Sequence, residues 1–147
     1  MKVVIAMEGF TAPSGYILKE LCIMYPDGEF NHYLFTKPLS MFTEDDLRAI
    51  NYATENLSKL PLEDGAVPYN EIDSILEKER EHYIYTYSEV AKKVLQTYLP
   101  TSFVENVQQK GFQMPKQIPN SHCFRNHNQR YCAKAKAIAV RNFMFEN

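Results

Sequence analysis

The chain has little of what would commit it to a charged partner or a membrane. Its 147 residues carry 16 Lys and Arg against 18 Asp and Glu, a net charge of −2 at neutral pH. No overall field therefore draws it onto nucleic acid or an anionic bilayer, and any nucleic-acid contact has to be a local patch. The apolar start Val3-Val4-Ile5-Ala6 is far too short for a leader or a membrane span. Three cysteines, an odd number without a secretory leader, point to a reducing compartment, so an intracellular setting, cytoplasmic or nuclear, is expected. There is no internal repeat and no low-complexity tract. What remains is enough apolar material for one globular domain over residues 1–147: 45% of the residues are hydrophobic and 13% aromatic.

Lys2 to Met7 is a β-branched apolar run with the pattern of a buried central strand, and it leads into the acid Glu8. A Pro/Gly turn at 11–15 separates it from a second apolar strand, Tyr16 to Tyr25, into which Lys19 and Glu20 are set. Pro26-Asp27-Gly28 is a hairpin turn, and Phe30 to Thr36 forms a third strand. Thr43, with an acid three residues on, caps a helix whose apolar stripe is Leu47, Ile50, Ala53 and Leu57. A second helix is predicted from about Asn70 to Glu79, with Ile72, Ile75 and Leu76 inward. His82 to Tyr87 reads as a strand, Ser88 caps a helix ending before Pro100, and Ser102 to Val107 forms a last strand. The final helix, from about Gln129 to Phe143, is alanine-rich on one side, which suits close packing on a sheet.

The densest chemistry lies just before that helix. Two of the three cysteines and two of the four histidines fall between Ser121 and Ala133. Cys123, His127 and Cys132 stand at C-x3-H-x4-C, and thiolate and imidazole at such spacing suit tetrahedral zinc. Three ligands do not close a structural site, so a fourth has to come from elsewhere. The alternative is two buried thiols and a surface histidine flanking a helix start. His122 is a possible substitute ligand.

Several motifs resemble those of the DEDD-type exonucleases, the histidine subclass (DEDDh) in particular. Val3 to Phe10 resembles their first motif, an apolar strand ending in D-x-E; Ile17 to Ile23 resembles their second strand; His127-x4-Cys132-Ala133 resembles their H-x4-D followed by alanine. The resemblance implies a ribonuclease H-like α/β fold: a central mixed sheet opened by three antiparallel strands and flanked by helices. It also exposes two departures. Ala6 stands at the first aspartate position and Cys132 at the last, leaving Glu8, with Asp64 as a candidate for the middle acid. Two of four oxygen ligands are then missing, which is too little hard charge for a magnesium pair.

These replacements resemble the Maelstrom-type domain, a ribonuclease H-like domain of the germline RNA-silencing pathway that lacks the exonuclease carboxylates and holds zinc with a Glu-Cys-His-Cys set. Carried over by position, that set is Glu20, Cys123, His127 and Cys132, with Zn2+ as the implied cofactor. Cys22 is an alternative to Glu20, because side chains alternate and both face one side of the strand. The implied function is a zinc-stabilised, exonuclease-like domain without two-metal catalysis that binds single-stranded RNA or a protein partner. The setting that the resemblance implies is RNA silencing or a virus or transposon. Two further possibilities are an active ribonuclease using Glu8 and Asp64 with a non-classical metal arrangement, and a purely structural interaction module. Glu8 is a surviving catalytic acid in the former and a solvated strand end otherwise. Lys92, Lys93, Lys110, Lys116, Arg125, Arg130, Lys134 and Lys136, with Phe124 and Tyr131 among them, form either a phosphate-contacting patch or an ordinary charged surface.

Overall fold

The computed structural model describes residues 1–63, 65–116 and 131–146. It is an α/β domain built on a five-stranded mixed sheet with the order β3-β2-β1-β4-β5, where β1 is Lys2–Ala12, β2 Gly15–Met24, β3 Phe30–Leu34, β4 Tyr83–Thr86 and β5 Val104–Asn106. The first three strands form an antiparallel meander, whereas β4 runs parallel to β1 and β5 parallel to β4. The central place of β1 explains its composition: Val3 to Met7 are at most 1% exposed, buried on both faces as the unbroken apolar run requires.

Helices cover both faces. On one, α2 (Ile72–Glu77) and α3 (Glu89–Tyr98) pack Ile72, Leu76, Leu95 and Leu99 onto Val3, Ile5, Met7, Leu21 and Ile23. On the other, α4 (Ala133–Phe145) lays Ala133, Ala137 and Val140 over Val4, Ala6, Cys22 and Met24. Its alanines allow the close approach that the sequence suggested. A third cluster, Phe10, Ala12, Ile17, Ile50 and Leu62, sits where α1 (Glu44–Ala53) packs on the tip of the β1–β2 hairpin.

The local signals held well at caps and turns. Thr43 accepts from the Asp46 N–H at 3.0 Å while the Asp46 carboxylate accepts from the Thr43 N–H at 3.0 Å, a complete capping box, and Ser88 caps α3. Gly28 closes the hairpin turn with φ +95°. The stripe proposed for α1 is corrected: Leu47 and Leu57 are 40% and 37% exposed, while Asp46 and Ile50 face inward. The reason is long-range. Asp46 is turned in by Ser14, whose N–H and hydroxyl both donate to it at 3.0 and 2.7 Å. The final helix also starts later than expected, at Ala133, with Cys132 as an extended N-cap residue (φ −115°, ψ 122°) and not a helical one.

One irregularity shapes the site. Glu8 pairs with Glu20, but Gly9 pairs with Leu18, so β2 carries an extra residue, Lys19. Lys19 is fully buried and donates to the carbonyls of Phe35 and Leu62, the latter at 2.7 Å. Only glycine fits opposite: a Cβ on Gly9 would lie 2.0 Å from the Ile17 carbonyl oxygen and 2.8 Å from the Tyr16 hydroxyl.

Candidate functional site

Alternation along β1 and β2 puts Ala6, Glu8, Glu20 and Cys22 on the face covered by α4. Glu20 is fully buried there. Its Oε1 accepts from the Ala133 N–H at 2.9 Å, and its Oε2 lies 2.6 Å from His32 Nε2. A carboxylate on a neighbouring strand thus takes over the cap of α4, where Cys132 offers no side-chain cap of its own, and meets the positive end of the helix. His32 was not singled out from sequence. The available signal was its register: it lies on β3 opposite Cys22, one strand over from the inward-facing Glu20.

Glu8, the second acid of this face, is 8% exposed, so it is not a solvated strand end. It is ion-paired with Lys136, one turn into α4. Lys136 also lies 3.4 Å from the Tyr87 hydroxyl and 4.6 Å from the centre of the Tyr87 ring, and that hydroxyl donates to the Met7 carbonyl at 2.8 Å. Burial, the largest single influence, pulls the Lys136 pKa down, but the charges of Glu8 and Tyr87 and their hydrogen bonds together outweigh it, and the net shift is above the ordinary lysine value. Burial likewise raises Tyr87, and raises Tyr16 well above a free phenol.

Beside Glu8 lies a cleft of about 600 Å³. Glu8, Gly9 and Thr11 form one part of its lining, Arg48 and Tyr52 of α1 another, and Tyr131 a third. Tyr52 is 61% exposed, and Arg48 pairs with Asp45 at 3.3 Å.

Of the four residues proposed to hold zinc, the structure brings Glu20 and Cys132 together through the Glu20–Ala133 bond; Cys123 and His127 lie outside the described residues. So do His122, Phe124, Arg125, Arg130 and Asp64. Among the described residues, no three His, Cys, Asp or Glu side chains group as a metal site. A carboxylate with two thiolates and an imidazole is a donor set of zinc chemistry, and two of its four members, Glu20 and Cys132, lie among the described residues. Cys22 is buried in the same cluster as Cys132, so both thiol positions are on the α4 face.

The expected basic patch does not gather among the described residues. Lys92 and Lys93 lie on α3 and Lys134 and Lys136 on α4, which cover opposite faces of the sheet. Lys136 is buried, Lys110 pairs with Glu105 at 3.4 Å, and Lys134 lies 4.5 Å from the centre of the Phe30 ring. Also among the described residues, no helix is long and apolar enough to cross a membrane. Comparison of the chain with protein-family models gave no match, and neither did comparison with curated protein sequences.

Proposed function

We propose that this chain is a zinc-stabilised, exonuclease-like domain of the ribonuclease H-like type, akin to DEDDh exonucleases and Maelstrom-type domains, which has lost two-metal catalysis and works by binding single-stranded RNA. One observation carries the loss of catalysis. Ala6 and Cys132, standing where two metal-binding aspartates would be needed, are 0% and 2% exposed and belong to one apolar cluster. A magnesium ion needs hard oxygen ligands, and neither the alanine methyl nor the thiol at these two positions is one. The strand order, with β1 antiparallel to β2 and parallel to β4, supports the fold assignment.

The cleft beside Glu8 supports RNA as the ligand. Tyr52 and Tyr131 in its lining are side chains on which bases could stack, and Arg48, paired there with Asp45, is the guanidinium that would turn to phosphate. Zinc would be held by Glu20, Cys123, His127 and Cys132. It would supply a structural tie and no reacting water, since four protein ligands close the site. His32, bonded to Glu20, would fix the orientation of that carboxylate.

Metal analysis of the purified chain, followed by incubation with labelled single-stranded RNA with and without chelator, tests the reading. The expected result is one zinc per chain and binding without cleavage, weakened about tenfold by Tyr52→Ala. Divalent-dependent digestion that disappears in Glu8→Gln would show an active nuclease. Zinc without RNA binding would turn the ligand assignment toward a protein partner.

A further inference from the structure

One group of polar side chains lies apart from the zinc set and reaches the cleft only at Glu8. It lies where β1, β4 and α4 meet. Its centre is the Lys136 ammonium, in contact with the Glu8 carboxylate and 3.4 Å from the Tyr87 phenol oxygen. Behind the phenol is the Met7 carbonyl, 2.8 Å from it, and the Tyr87 ring presents its face to Nζ at 4.6 Å. A carboxylate and a phenol are oxygen donors of the kind that hard cations take, and the ring face favours positive charge as well. The setting is also enclosed, since the Glu8 and Lys136 side chains are only 10% and 11% exposed. A carboxylate so buried is costly unless hydrogen bonds or a cation at contact distance compensate it, and here the cation is Lys136.

We propose that this is a cation site whose occupant is the chain's own Lys136, and that the tethered ammonium keeps divalent ions away from Glu8. A tethered cation needs no metal in solution, because its effective concentration is fixed by the chain. A second positive ion would have to approach the first in a medium of reduced dielectric, where their repulsion is strong. The site is therefore self-contained, and its charge balance does not vary with magnesium. This inference stands whether the cleft takes RNA or protein, and whether or not zinc binds elsewhere.

Manganese is the probe, because it prefers oxygen ligands to thiolates and its bound fraction is read from its paramagnetic signal. The natural chain and Glu8→Gln should take up manganese equally, showing that Glu8 holds none. Lys136→Ala should take up about one ion more, with a melting midpoint raised by roughly 5 °C at saturating manganese. Lys136→Ala combined with Glu8→Gln should lose both effects. Should Lys136→Ala fail to fold in metal-free buffer, refolding on addition of manganese supports the proposal and failure to refold at any concentration overturns it. Manganese uptake by the natural chain that Glu8→Gln removes also overturns it. So does a folded Lys136→Ala that ignores the ion.

Discussion

The two faces of the sheet hold their helices by different physics. The face under α2 and α3 is fastened by area: Ile5, Met7, Leu21, Ile23 and Ile84 meet Ile72, Leu76, Leu95 and Leu99, large side chains without a polar partner. The face under α4 combines alanines and cysteines with larger side chains such as Met24, Tyr85 and Phe112, and adds two buried acids, Glu8 and Glu20, each tied to the helix. Apolar burial is non-directional and tolerates small shifts of a helix, whereas a carboxylate bonded to one amide and one bonded to one ammonium define a single position. The lesson is about where a chain puts its precision. The face bearing the candidate site is the one whose helix is positioned by bonds.

Substitutions that remove one half of a tie should separate the faces most. Lys136→Met leaves the Glu8 carboxylate buried and uncompensated and should cost about 4 kcal/mol by urea unfolding. Adding Glu8→Gln should recover most of that loss, and a double variant no more stable than Lys136→Met would show that the tie is not the cause. On the other face, Leu76→Ala should cost about 3 kcal/mol by the same assay, with no dependence on salt. A clear salt dependence there would blur the distinction between the faces. Ala137→Leu tests the closeness of α4 to the sheet: overpacking this fully buried position should cost about 2 kcal/mol, and a neutral result would mean that the helix is free to shift.

The smallest expected effect lies at the hairpin tip and is read by acid titration. Hydrogen bonds from the Ser14 side chain, and from Thr43, lower the Asp46 pKa to about 2. A carboxylate whose folded pKa is lower than its unfolded one stabilises the fold above the unfolded value. That contribution should therefore be complete above about pH 4 and fade as the pH falls toward about 2. Asp46→Asn should flatten the thermal midpoint over this window, and an unchanged acid profile would refute the assignment.

What could be read from the sequence was whatever is encoded locally. Among the described residues, the five strands, the four α-helices, the Thr43 and Ser88 caps and the Gly28 turn all depend on residues a few positions apart, and their order follows. Pairing across the fold was invisible. Asp46 was legible only as the acid of the Thr43 cap, because its other partner, Ser14, is 32 residues away, and Leu47 was placed on the inward stripe instead. Lys136 looked like part of a basic surface because its partner is 128 residues away. β1 was expected to end near Met7, yet it runs to Ala12, since hairpin pairing with β2 extends it past its apolar core. For the candidate site, Glu20 and Cys132 were proposed by motif, while His32 was missed because a lone histidine on a strand shows nothing until the register places it next to an acid.

The extra residue at Lys19 has a mechanical consequence. From Gly9 to Ala12, β1 pairs only with β2 among the described strands, so this length of hairpin projects from the sheet as a cantilever, anchored at its root by Lys19 and propped near its tip by the Ser14–Asp46 bonds to α1. The cleft is lined by the arm, by its prop and by Tyr131 just ahead of α4. Whatever lodges there loads the arm, and the stiffness of its two supports sets how far the cleft can widen. Weakening the support at the tip softens the cleft without touching any side chain that lines its floor.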